Sequence, residues 1–164
     1  MDKSLTIRPM RQEDLESVGD LDALSFAEPW PKHSFAYELT TNYSICLVAA
    51  DTNNQVLGAI VVWIIVDEAH IATIAVHPDH LHKGIGSCLL AQALLFSAER
   101  GAVSSMLEVR RHNLAAIGLY QRFGYHRVGI RKNYYKNDNE DALLLNLDQI
   151  DILELRNFVT SNCV

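Results

Sequence analysis

Six residues, His82-Lys83-Gly84-Ile85-Gly86-Ser87, follow a β-like run, Ile71 to Val76, and open a strongly apolar helix. A loop in that position turns several backbone N–H groups towards one point and adds the positive end of the helix dipole, which together make an anion site. Gly84 and Gly86 keep side chains clear of a close approach. The loop has no Gly-Lys-Ser/Thr ending, so it is not a P-loop, and it lacks the third glycine of a dinucleotide fingerprint. His77, His80 and His82 crowd the same stretch, but it holds no cysteine or acid set of the kind that closes a metal site, so no metal is expected.

Two carboxylates could move a proton. Glu108 lies in the β-rich run Ser104–Arg110, flanked by Leu107 and Val109, which point to the opposite face. Partial burial would raise its pKa towards a value useful to a general base. The plainer reading is an exposed strand residue paired with Arg110 or Arg111. Glu68 opens the preceding strand, and beside Asp67 its plainer reading is a solvated turn residue. Tyr120 falls on the apolar stripe of a helix and reads as a core aromatic with its hydroxyl at the rim. Trp30, Phe35, Tyr134 and Tyr135 each read, taken singly, as packing residues.

Recognisable elements must position these groups. Leu5 to Arg8 alternates and is closed by Pro9, which predicts a first strand. Arg11 to Phe26 carries Leu15, Val18, Leu21 and Leu24 as the stripe of an amphipathic helix, and Ser34 to Thr40 reads as a second, short one. Tyr43–Ala50 and Val56–Val66 are β-rich runs joined by the hairpin signal Asp51-Thr-Asn-Asn54, and Ala69–Val76 is the next strand. Gly84 to Arg100 is apolar on more than one face and must be buried against a sheet; Gly101 stops it. After the strand Ser104–Arg110, Asn113 is a good N-cap for a helix bearing Ala116, Leu119, Tyr120 and Phe123, which Gly124 ends. Tyr125–Arg131 and Ala142–Leu147 complete an α/β (α+β) mixed sheet with helices on both faces.

Composition bounds the rest. The 164 residues suffice for one well-buried core and are too few for two comfortable domains. Apolar residues make up 49%, yet no run reaches the roughly 20 residues that span a bilayer, and no membrane partner is expected. A formal net charge of −6 argues against a nucleic-acid partner and suits a basic peptide. Cys46, Cys88 and Cys163 are odd in number and far apart, and read as unpaired thiols in a reducing compartment.

Two blocks, Ile71–Leu90 and Leu107–Tyr125, resemble the GCN5-related N-acetyltransferase (GNAT) superfamily. The second carries its Asn-x-x-Ala-x-x-Leu-Tyr-x-x-x-Gly-Tyr pattern. Within that superfamily the chain is similar to the RimI-type enzymes, through Pro29-Trp30, Asp67-Glu68-Ala69, Ile74-Ala75-Val76, Leu107-Glu108-Val109-Arg110, Arg131-Lys132-Asn133-Tyr134-Tyr135 and Glu140-Asp141-Ala142. The likeness covers residues 5 to 147, so one acetyltransferase domain is expected over 1–147, followed by a segment, 148–164, of unknown role. There Ile152, Leu155 and Phe158 could form a short docking helix or nothing fixed.

The resemblance implies a GNAT fold, with a mostly antiparallel central sheet and a splay between two central strands. It implies acetyl-CoA as co-substrate, its pyrophosphate on His82, Lys83, Gly84, Ile85, Gly86 and Ser87, its pantetheine on the strand edge at Ile74, Ala75 and Val76, and a hydrogen bond from Asn113. It makes Glu108 the base and Tyr120 the acid that protonates the leaving thiolate. Trp30, Glu68, Tyr134 and Tyr135 fall on the acceptor side, with Pro29, Phe35 and Asn133. The implied reaction is acetylation of a protein N-terminus, alanine first, on a small-subunit ribosomal protein in the cytoplasm. A GNAT for another amine (a lysine, a polyamine, an antibiotic) and a CoA-binding module without turnover remain as alternatives. The chain departs from the pattern at Leu81, where Gln or Arg is usual, and at His82, where RimI-type enzymes carry Arg, which predicts weaker cofactor contacts.

Overall fold

A computed structural model describes residues 4–163. Residues 1–3 and 164, which the expected division at 147/148 also covers, lie outside the described residues. Seven strands form one sheet: β1 (Thr6–Pro9), β2 (Ser44–Ala50), β3 (Val56–Ile65), β4 (Glu68–Val76), β5 (Ser104–Arg110), β6 (His126–Tyr135) and β7 (Glu140–Leu147). The order is β1-β2-β3-β4-β5-β7-β6. Every neighbouring pair is antiparallel except β4 with β5. Among the described residues five α-helices accompany them: α1 (Leu15–Ser25), α2 (Lys32–Glu38), α3 (Ile85–Glu99), α4 (Leu114–Arg122) and α5 (Ile152–Asn162).

The sheet has a core on each face. One cluster joins α3 and α4 to the sheet through Leu89, Leu90, Leu94, Leu107, Val109 and Tyr120; the other joins α1 and α2 through Val18, Leu21, Phe35, Val48 and Val61. β3 is apolar almost throughout because it is covered on both faces. α3 crosses β3 closely at Gly58, where an added Cβ would lie 2.9 Å from Leu89 Cδ1 and 3.1 Å from Ile85 Cγ2. That glycine lets the first turn of α3 settle on the sheet.

The parallel pair makes the opening. β4 and β5 are in register only at Glu68–Ser104, Ala69–Ser105 and His70–Met106. Beyond His70, β4 continues as Ile71–Val76 on β3 alone, while β5 continues on β7. Opposite Val61 and Val62, β4 carries one extra residue, Ala72, which bends the strand there. The implied splay is therefore present, and Ile74, Ala75 and Val76 lie along its open edge.

Three expectations need correction. Leu24 is exposed rather than part of the α1 stripe. Steps of three residues drift about 60° backwards around a helix, which puts Leu24 on the far side from Leu15. β6 runs on to Tyr135, four residues past Arg131, with Asn133 at φ 52° where the register shifts. The cysteines are not all unpaired: Cys88 and Cys163 form a disulfide across a separation of 75 residues, with Cα atoms 5.6 Å apart. The cause is α5, which packs on α3 with Leu155 buried and Phe158 edge-on to Phe123. Asp151 caps α5 by accepting from the Glu154 amide at 3.0 Å. Among the described residues no helix is long and apolar enough to cross a membrane.

Gly58→Val should lower stability by roughly 1–3 kcal/mol, because the new side chain meets Leu89 and Ile85 in a packed layer. Thermal unfolding checks this; an unchanged midpoint would mean that α3 can shift off β3 at no cost.

Candidate active site

Glu108 stands at the mouth of the opening. Leu107 and Val109 are buried in the cluster on the α3 face, so the Glu108 side chain projects from the other face, where α1 and α2 lie. Its Oε2 is 2.9 Å from His70 Nε2, and its Oε1 is 4.0 Å from an Arg131 guanidinium nitrogen. An ionised carboxylate only accepts, so Nε2 carries the proton in that contact. The His70 bond is the largest influence on Glu108 and holds its carboxyl below the ordinary value; burial pushes the other way, and Arg131 assists His70. The expected rise on burial is thus reversed, because a close donor outweighs partial desolvation. Glu108 is ionised at neutral pH.

Two aromatic segments reach Glu108 through these partners. β3 and β4 set Trp63 opposite His70, and the rings meet edge-on at 5.5 Å. Trp30 stacks on Trp63 at 6.1 Å and touches Phe35 at 5.2 Å. Buried Asp22 fixes the Trp30 backbone by accepting its N–H at 2.7 Å. Buried Glu38 accepts from the Trp63 indole N–H at 3.0 Å and from the Ser44 hydroxyl. On the other side, the Arg131 guanidinium lies 5.8 Å from the centre of the Tyr134 ring, and Tyr134 meets Tyr135 edge-on at 5.1 Å. Arg110 covers Tyr135 at 3.9 Å and pairs with Asp138 and Glu140. The Asn133 amide donates to Asp141 at 2.9 Å.

Trp30, Tyr134 and Tyr135 are thereby gathered around Glu108, whereas Glu68 is not. Glu68 sits at the closed, paired end, opposite Ser104. Four residues of strand, about 13 Å, separate that level from Glu108.

Tyr120 is buried on the α3 face, 5.6 Å ring to ring from Tyr125. Burial, chiefly, pushes its phenol above the ordinary value, and Tyr125 and Tyr135 add to this. Tyr135, pushed up to about 12 mainly by burial, also feels the Glu108 charge. The Tyr135 phenol is thus electrostatically linked to both residues.

The loop ahead of α3 has the shape of an anion cradle. Gly84 adopts φ 81° and a Cβ there would meet nothing within 4 Å; His82 adopts φ 59°. The Cys88 amide closes the first turn on the Gly84 carbonyl at 3.0 Å. The amides of Gly84, Ile85, Gly86 and Ser87 give no hydrogen bond to any described residue, so all four can serve a ligand. At Gly86 an added Cβ would make only ordinary contacts, 3.5 Å from Leu119 and 3.7 Å from Val76. His82 and Lys83 are exposed. Asn113 caps α4, accepting from the Ala116 amide at 3.2 Å. His77 accepts from the Asp79 amide. Among the described residues no group of three His, Cys, Asp or Glu side chains could hold a metal ion.

An open strand edge, an amide cradle at a helix start and a carboxylate at the opening fit the transfer of an acyl group from an extended phosphorylated carrier. A model of the acetyltransferase (GNAT) family matches residues 15–125. The chain belongs to that family. A Bacillus subtilis (strain 168) protein, named provisionally as a ribosomal protein bS18-alanine N-acetyltransferase, is 37% identical over 145 residues, covering 88% of this chain and 96% of the relative. The ribosomal protein bS18-alanine N-acetyltransferase of Escherichia coli (strain K12) is 31% identical over 144 residues, covering 87% and 96%. The crystal structure of the ribosomal-protein-S18-alanine N-acetyltransferase from Escherichia coli superposes with a TM-score of 0.80 at 29% identity, over 90% of this chain and 96% of that one. A nourseothricin acetyltransferase superposes at 0.75 with 24% identity, which is a likeness of fold alone.

Sequence alone does not single out His70, Trp63 and Arg131 as site residues of this acetyltransferase. Hairpin register would have exposed the first two: a tight turn at Val66-Asp67 pairs Ile65 with Glu68, and so Trp63 with His70.

The lowered pKa of Glu108 has a defined sign. Its contribution to folding is complete above the ordinary carboxylate range and is lost as pH falls through the lowered value. His70→Ala should move the acidic limb of kcat/KM to higher pH, because burial remains and the donor is gone; His70→Gln, which can still donate, should restore part of the shift. A limb that stays in place in both variants would show that His70 does not tune Glu108.

Proposed function

We propose that this acetyltransferase moves the acetyl group of acetyl-CoA to the N-terminal α-amine of a ribosomal protein in the cytoplasm, with alanine as the preferred first residue. The observation that carries the proposal is the position of Glu108, held by His70 and Arg131 between the Trp30–Trp63 and Tyr134–Tyr135 aromatics. The relatives named for alanine N-acetylation of a ribosomal protein, each matched over nearly its whole length, support the same acceptor.

In this reading the amides of Gly84 to Ser87 receive the pyrophosphate, with His82 and Lys83 beside them, and the edge at Ile74, Ala75 and Val76 pairs with the pantetheine amides. Asn113, while capping α4, adds a contact to the cofactor arm. Acetyl-CoA supplies the activated acyl carbon. The acceptor nitrogen bonds to that carbon as the carbon–sulfur bond breaks. Glu108 takes the amine proton, directly or through water, and Tyr120 returns a proton to sulfur. No acetyl-enzyme is needed.

The proton balance suits an α-amine. With a pKa near 7.7–8.0, about a tenth to a third of it is neutral at pH 7–7.4, whereas a lysine amine at 10.4 is neutral in no more than about one molecule in a thousand. A carboxylate below its ordinary pKa is a weak base, adequate for the first and poor for the second. Its negative charge also draws an ammonium group to the opening. Proton donation from an ordinary phenol to a thiolate of pKa near 8.5 is uphill by roughly 2 kcal/mol. Burial raises the phenol further, but a thiolate enclosed beside it is destabilised in the same way.

Peptides with free and blocked Ala N-termini, each containing lysine, test the proposal by mass. One acetyl group on the free peptide and none on the blocked one is expected. Equal modification of both would replace the α-amine with a lysine acceptor. Glu108→Gln should lower kcat by roughly 10²–10⁴-fold with partial recovery at higher pH, the usual range for a general base; full activity at pH 7 would remove Glu108 from that role.

A further inference from the structure

Helix α5 braces the two helices that border the site. It packs on α3, whose first turn follows the Gly84 loop, and its Phe158 meets Phe123 at the end of α4, 5.2 Å between ring centres. Cys88 lies in that first turn of α3, and its amide holds the Gly84 carbonyl. Cys163 directly follows α5 and sits against Cys88, with Cα atoms 5.6 Å apart, inside the range a disulfide spans without backbone movement. The third cysteine differs in environment. Cys46 lies in β2, its thiol pushed up to about 12 by burial first and by the Glu38 charge second, so it offers almost no thiolate.

We propose that Cys88 and Cys163 form a reversible oxidation site whose closure clamps α5 onto the first turn of α3. The reaction partner is a low-molecular-weight disulfide of the glutathione class. The partly exposed Cys163 thiolate attacks one sulfur of that disulfide, forming a mixed disulfide and releasing one small thiolate. The Cys88 thiolate then attacks the Cys163 sulfur, closing the protein disulfide and releasing the second. Two protein thiols are oxidised, one small disulfide is reduced to two thiols, and the two protons leave with them. Cys88 is almost fully buried, which favours this order over initial attack at Cys88.

Closure joins residues 75 apart in the chain, so it removes much of the freedom of the unfolded state. Locally it prevents the last turn of α5 from fraying, the usual fate of a helix end with few buried side chains. Reduction should leave the sheet intact while loosening α5 and the start of α3. The oxidation state of the chain thereby sets the rigidity of the turn behind the Gly84 loop.

The test uses the full chain in glutathione buffers, from fully reduced to fully oxidised. Thiols are counted by mass after alkylation in denaturant, and amide exchange is followed by mass spectrometry. In oxidised buffer only Cys46 should be alkylated, and in reduced buffer all three cysteines. Reduction should speed exchange in α5 and the first turn of α3 by at least tenfold and lower Tm by about 5–15 °C. Cys163→Ser should match the reduced chain in both buffers. Three alkylated cysteines in every buffer, or glutathione retained on Cys163 without closure, would overturn the oxidation site; equal exchange in the two states would overturn the clamp.

Discussion

Three paired residues between β4 and β5 are the constraint on which the rest of the structure depends. With Glu68, Ala69 and His70 the two strands share a ladder; past them each strand keeps only its outer neighbour. An unpaired run of strand amides and carbonyls is unfavourable in a core and useful only at an opening that water or a ligand can enter. The same parting places the start of α3 and the buried side of α4 at one margin, and Glu108 with its aromatic neighbours at the other. Had the ladder continued to Val76, neither edge nor cleft would exist.

The electrostatics of the opening follow from who reaches Glu108. His70 belongs to β4 and Arg131 to β6, so the carboxylate is held from both sides of the gap. His70 in turn meets Trp63, on which Trp30 stacks, and Arg131 lies near the Tyr134 ring. Glu38 orients Trp63 from behind, and Asp22 fixes the backbone at Trp30. A carboxylate held in this way would, in the proposed role of base, be well placed but weak. That combination matches an amine that loses its proton near neutrality better than one that loses it above pH 10.

Much of this was legible in the residues. Strand and helix periods located the elements to within a few positions, and Asn113, Gly84 and Gly101 marked boundaries that backbone geometry bears out. Leu107 and Val109 correctly turned Glu108 to the other face. What escaped were relations between elements distant in the chain. The direction of the Glu108 shift depends on His70, 38 residues away, and no local pattern weighs a hydrogen bond against burial. The disulfide depends on α5 folding back over α3, which a short, weakly apolar segment does not announce.

Hydrogen–deuterium exchange with and without acetyl-CoA tests the central claim most directly, because it reads the open edge itself. Binding at the parted strands predicts slowed exchange in two places together, Ile71–Val76 of β4 and Gly84–Ser87 at the start of α3, with β1 and β2 unaffected. Protection confined to the loop, or none along β4 at saturating acetyl-CoA, would contradict the account.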